Sequence, residues 1–175
     1  MIRKSRFLKL AREIVSTPTA SFHEHLVLRR LATQARDLGL PVAQDRWGNL
    51  HVRYRRGRHP RSWVLIAHTD HPAFVVTSAR GRRARGRWFG RVEPHYFRGA
   101  PVRLYGSAGE RIAGSITRAL RGGVRGRIEH VHLQSRHPAA PGMIGMWDLS
   151  DWSLRGDRLR VRVADDLVGC AILAG

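Results

Sequence analysis

Apolar residues recur at helical spacing at the start of the chain. Phe7, Leu10, Ala11, Ile14 and Val15 mark one face and predict a helix over about Ser5 to Ser16, ended by the Thr17-Pro18 break. A second helix is expected directly after it. Ser21 followed by Glu24 has the form of a capping box, Leu28, Leu31, Ala35 and Leu38 supply the buried face, and Gly39 supplies the stop. Beyond Pro41 the period shortens. Leu50–Tyr54 reads as a strand, and Trp63–Ala67 is a continuous apolar run of the kind that suits a strand covered on both faces. Helices feeding a buried strand imply an α/β layer.

From Phe74 to about Val163 the pattern is almost wholly β. The runs Phe74–Val76, Trp88–Val92, Val102–Tyr105, Ile112–Ile116, Ile128–Leu133 and Leu159–Val163 are separated by turn sequences such as Arg98-Gly99-Ala100-Pro101. After Asp165-Asp166 an apolar helix pattern begins with Val168, Cys170, Ala171, Ile172 and Leu173. A short helix of that composition needs a partner surface. The expected organisation is an α/β unit over 1–78 and 161–175, left incomplete, with an inserted β domain over 79–160.

Composition narrows the function less than the charge first suggests. The 175 residues carry a formal net charge of +19, from 32 Lys and Arg against 13 Asp and Glu. Only Lys4 and Lys9 are lysines, and the arginines are spread along the chain, so the surplus by itself identifies no partner. The one dense cluster is Arg80-Gly81-Arg82-Arg83-Ala84-Arg85-Gly86-Arg87. A phosphate-binding module, with Trp88 and Phe89 stacking on bases, is the alternative function it supports. A solvated hairpin loop between two strands is the preferred reading, so no nucleic-acid partner is expected. A single cysteine, Cys170, fits a reducing, cytoplasmic setting, and no apolar stretch suits a signal peptide or a membrane span.

Two short stretches carry candidate chemistry. In Ala67-His68-Thr69-Asp70 a strand delivers an imidazole at its C-terminal end, and a carboxylate two residues on can accept the proton of the nitrogen left free when the other binds metal. In Ala164-Asp165-Asp166 two adjacent carboxylates precede a helix. They suit either a divalent cation or a helix cap. His71 is a possible third imidazole beside them, with an exposed strand-end histidine as the preferred reading. Six further histidines, His23, His25, His95, His130, His132 and His137, are assigned to surface or turn positions, and Trp147 and Trp152 to packing of the β module.

Taken with Ser16-Thr17-Pro18-Thr19-Ala20-Ser21-Phe22-His23-Glu24 and Asp45-Arg46-Trp47-Gly48-Asn49, these stretches resemble metallopeptidase family 42, the glutamyl, deblocking and tetrahedral aminopeptidases. The resemblance implies a mixed-sheet α/β catalytic domain of the zinc-exopeptidase type with an inserted barrel-like all-β domain used for subunit contacts. It implies that His68 and Asp165 are ligands of a two-metal centre holding zinc or cobalt. Asp70 would orient His68, Asp166 and His71 are possible further ligands, and the Asp165-Asp166 peptide would be cis or strained. Two departures stand out: the family's Glu-Ile-Gly after the His-x-Asp motif is His71-Pro72-Ala73 here, and the arginine after its paired aspartates is Leu167. The family's general base and remaining ligands lie beyond the paired aspartates, and the sequence runs nine residues past Asp166. The expectation is therefore a metal-dependent aminopeptidase that forms homo-oligomers and acts on peptides, of which this chain is an N-terminal portion, inactive alone. A non-catalytic scaffold is a further alternative.

Overall fold

A computed structural model describes residues 4–57, 61–122 and 126–175. Helix α1 spans Lys4–Val15 and α2 His25–Asp37, each presenting one apolar face to a shared core. The C-terminus of α2 closes as the sequence predicts. Gly39 takes φ +70°, and the amides of Gly39 and Leu40 return to the carbonyls of Arg36 and Ala35. Its N-terminus does not, because the hydroxyl of Ser21 is engaged by Asp70 and no side chain caps the helix. Glu24 instead accepts the Phe22 amide through Oε1 at 2.7 Å.

Strands β1 (Val42–Gln44) and β2 (Leu50–Val52) form a two-stranded antiparallel hairpin. The turn between them explains the Asp-x-x-Gly-Asn motif. Asp45 Oδ1 accepts the amides of Trp47 and Asn49, Oδ2 accepts Asn49 Nδ2 at 2.8 Å, and Gly48 sits at φ +92°. These bonds, the Asn49 side chain foremost, hold the Asp45 carboxyl down at about 2.

The run Trp63–Ala67 departs from expectation. Among the described residues no strand pairs with it, and Trp63 is 90% and Ile66 87% exposed. An apolar strand covered on both faces needs a sheet edge on each side and a layer above and below. Among the described residues no strand lies beside it on either side. Ala67 alone of the run packs against the helical core. The mixed sheet implied by the resemblance is accordingly not formed within these residues, which are α/β in composition with short hairpins outside the barrel.

The β region closes into a six-stranded antiparallel barrel. It is made of β3 (Ala73–Arg80), β4 (Arg83–Phe89), β5 (Pro101–Tyr105), β6 (Arg111–Gly122), β7 (Arg127–Ser135) and β8 (Ile144–Trp147), in the order β3-β4-β7-β6-β5-β8. β3 is a single barrel strand, so the barrel takes in residues on the N-terminal side of 79. Its alternation builds two cores at once: Phe74 and Val76 point into the barrel, while Ala73 and Val75 face the helical core. The Phe74 ring occupies the space that side chains at Gly86 and Gly145 would fill, since a Cβ on Gly145 would lie 2.0 Å from its tip. Trp88, Phe97 and Trp147 fill the rest through edge-to-face contacts with centroids 4.5–5.4 Å apart.

The hairpin of β9 (Ser153–Arg155) and β10 (Arg158–Arg160) leads out of the barrel to α3 (Leu167–Ala174). α3 packs Leu167, Cys170 and Ala171 inward but leaves Ile172 and Leu173 exposed. Arg162 ties the two parts together. Its buried guanidinium donates to the Tyr105 hydroxyl, lies 3.0 Å from Asp151 Oδ1, and stands 5.2 Å from the centre of the Tyr105 ring. Arg103 of β5 completes the network with Asp148 and Asp151.

Candidate functional site

His68 is the meeting point of the two motifs. Its Nδ1 lies 3.0 Å from Asp70 Oδ1 and its Nε2 lies 3.1 Å from Asp165 Oδ1, a contact across 97 positions of sequence. Local bonds hold this geometry. Ser21 Oγ donates to Asp70 Oδ2 at 2.5 Å, the buried Thr19 Oγ1 donates to the carbonyl of Thr69 at 2.8 Å, and Cys170 Sγ donates to the carbonyl of His68 at 3.2 Å. The loop between α1 and α2, the extended segment ending at Asp70 and the start of α3 thus converge on one imidazole. The roles of Ser21, Thr19 and Cys170 are not readable from the sequence. Ser21 carried a cap pattern, and nothing in the local sequence placed it beside a residue 49 positions away.

The Asp165-Asp166 peptide is cis. Asp166 stands at the N-cap position of α3 without a side-chain cap bond, so the helix-cap reading does not hold for it. Its carboxylate lies over Gly169, where a Cβ would meet Oδ1 at 2.0 Å. His71 is half-buried, with Nδ1 unpartnered among the described residues. The remaining histidines scatter, and His130 and His132 sit on strand β7 rather than in turns.

The electrostatics separate the two imidazoles. Partial burial pulls His68 down, but its hydrogen bond to the Asp165 carboxylate and the charges of Asp70 and Asp165 outweigh it and hold His68 above its ordinary value. Burial drives His71 the other way, helped by the nearby Arg162 charge, so His71 favours its neutral form. Burial, with the Asp166 carboxylate nearby, pushes the Cys170 thiol up to about 11.

Whether these residues suit a metal can be tested on distances. Two ligands each 2.0–2.1 Å from one tetrahedral ion stand about 3.3 Å apart, near the 3.1 Å between His68 Nε2 and Asp165 Oδ1. With Nδ1 turned to Asp70, the tautomer suits ligation through Nε2. The pair therefore fits as two ligands of one ion. It does not amount to a centre, because no group of three His, Cys, Asp or Glu able to hold a metal occurs among the described residues, and a catalytic zinc takes three protein ligands. Among the described residues no helix is long and apolar enough to cross a membrane.

No protein-family model and no curated protein matches the chain. Solved structures do. The aminopeptidase APDkam598 from the archaeon Desulfurococcus kamchatkensis superposes with TM-score 0.72 at 18% identity, covering 97% of this chain and 51% of that one. The TET1 peptidase of Pyrococcus horikoshii, described as assembling into a tetrahedron or a large octahedral shell, gives 0.71 at 16%, covering 96% and 54%. A Thermotoga maritima protein described as an endoglucanase gives 0.71 at 20%, covering 94% and 52%. The chain thus spans about half the length of the structures it matches, and at these identities the likeness establishes the fold, one shared with aminopeptidases.

Proposed function

We propose that the chain is the N-terminal portion of a metal-dependent aminopeptidase-type hydrolase acting on peptides. The observation that carries this reading is the His68 bridge. Two motifs far apart in sequence are brought to hydrogen-bond distance on a fold shared with aminopeptidases, with the imidazole oriented as a ligand needs. His68 and Asp165 would contribute to holding zinc or cobalt, with Asp166 and His71 as possible additions. A bound divalent ion supplies a Lewis acid and a water of lowered pKa. Asp70, steadied by Ser21, keeps the Nδ1 proton and so leaves Nε2 free as a donor.

In the same proposal these residues do not supply the general base and the further ligands, so the 175-residue chain alone is expected to be inactive. Assembly into a homo-oligomer through the barrel domain and a cytoplasmic location belong to the same proposal.

The test joins sequence and assay. Reading the coding frame past codon 175, directly or after correction of one base, should reveal a Glu-Glu pair on a strand and a late histidine. The joined product should hydrolyse aminoacyl-p-nitroanilides with added zinc or cobalt, and His68→Ala should abolish this. A joined product without hydrolysis contradicts the reading. Turnover by the 175-residue chain alone, lost in His68→Ala, contradicts its inactivity.

A further inference from the structure

The Arg80–Arg87 cluster does not form a loop. Only Gly81 and Arg82 lie in the turn between β3 and β4, and Arg82 is docked, donating through Nε to the carbonyl of Ser135. From Arg83 onward the chain is a strand. Ala84, Gly86 and Trp88 face the barrel interior, so Arg83, Arg85 and Arg87 stand outward on one exposed row. Residues two apart on a strand are about 6.6 Å from each other, so the row presents three guanidinium groups over roughly 13 Å.

Register extends the row sideways. Arg85 is opposite His132 on β7, which is opposite Arg118 on β6, and Arg87 is opposite His130. Arg118 in turn lines a shallow cleft of about 410 Å³ with Arg98, Arg121 and Thr117. Among the described residues none of Arg83, Arg85, Arg87 or Arg118 has a carboxylate within 4.0 Å, whereas Arg103 and Arg162 are spent in the ion network. Two acidic groups border the band: Glu129 on β7 is turned against Gly122, and at the aromatic end Glu24 Oε1 accepts the Phe22 amide at 2.7 Å.

The row ends on aromatic rings. The Arg87 guanidinium lies 5.4 Å from the Phe89 ring centre, and Phe89 meets Phe22 edge-on at 5.9 Å and His23 at 5.8 Å. Phe22 is 84% exposed and sits at φ +67°, a conformation a bulky residue adopts at a cost. The backbone thus holds a bare aromatic ring in solvent at the end of an unpaired arginine row.

We propose that this face binds single-stranded nucleic acid, its phosphates along Arg83, Arg85, Arg87 and Arg118 and a base stacked on Phe22. Arginine forks take phosphate oxygens in pairs, and an aromatic face accepts any base, so binding is sequence-tolerant. The exposed ring favours a single strand over a duplex, whose bases are already stacked. The arginine row lies on the barrel, Phe22 is next to Ser21 on the loop that holds Asp70, and the proposal does not depend on the chemistry of the His68 site.

Fluorescence anisotropy of a labelled twenty-nucleotide oligothymidine with the 175-residue chain tests this. Three to four neutralised phosphates predict an affinity falling about 20–50-fold between 50 and 200 mM salt. R83Q/R85Q/R87Q should lower the log–log salt slope by about 2, and F22A should weaken binding at least fivefold. The control R155Q/R158Q/R160Q, on the β9-β10 hairpin, removes the same number of exposed charges and should change affinity less than threefold. Far-UV circular dichroism checks that each variant is folded; for any that is not, the single substitution Arg85→Gln replaces it, with a slope change of about 0.7. Equal losses in the two triple variants, unchanged binding in F22A, or tighter binding of a twenty-base-pair duplex overturns the proposal.

Discussion

At the scale of single residues, the site depends on which hydrogen bond each group makes. Cys170 is buried and gives its thiol proton to the His68 carbonyl, and burial pushes the thiol up to about 11, so little thiolate forms at neutral pH. It should react with a thiol-specific disulfide reagent at about pH 8 at least tenfold more slowly in the folded chain than in denaturant; equal rates would place the thiol in solvent. Asp45 makes a prediction with a definite sign. Its carboxyl is held below its unfolded value, so its stabilising contribution is present above about pH 4 and is lost as pH falls toward about 2. Melting curves should show Asp45→Asn less stable than the parent at about pH 6, with the gap closing at about pH 2. A gap that is unchanged by acid would mean that the turn does not rest on the carboxylate. Only one of these roles has a sequence signal: the Asp-x-x-Gly-Asn spacing stands out as part of the family resemblance, while the link from Cys170 to His68 spans 102 positions and has no local signature.

At the scale of elements, the barrel and the ion network bear most of the order. Gly86 and Gly145 are small because the Phe74 ring occupies their space. Gly145→Ala should therefore overpack the barrel and cost about 1–3 kcal/mol, and Phe74→Ala should leave a void and cost about 3–5 kcal/mol, both read from denaturant midpoints. Asp151→Ala would strand the buried Arg162 charge three residues before Asp165, at a cost of about 3–5 kcal/mol. Replacing Arg162 by Met should cost less, since Asp151 keeps Arg103 at 3.8 Å. Helices α1 and α2 and most barrel strands were legible because amphipathic periods of 3.6 and 2 decide them locally. β8 was not. Ile144-Gly145-Met146-Trp147 is apolar throughout because both of its faces are covered, so it carries no alternation to read. The same logic misleads at Trp63–Ala67, where an equally apolar run lacks the neighbours that would make it a strand.

At the scale of the whole molecule, the described residues combine a closed barrel with a helical layer that is covered on one side only. Trp63, Val64, Leu65 and Ile66 are exposed together, as are Ile172 and Leu173 of α3. An apolar segment with free backbone edges is a template for association. Replacing Val64 and Ile66 by Lys should raise the soluble concentration of the chain several-fold without lowering the melting temperature of the barrel; a matching loss of stability would mean that the segment packs in solution. The candidate site lies beside this open side, where His68 and Asp165 offer two ligands of the three or more that a catalytic ion needs. The most direct measurement is the imidazole NMR spectrum of the chain titrated with Co²⁺. The account predicts weak binding with paramagnetic shifts at His68 that are lost in Asp165→Asn and retained when His130 is replaced by Gln. Absence of any cobalt-dependent change at His68, or shifts that persist unaltered in Asp165→Asn, would contradict it.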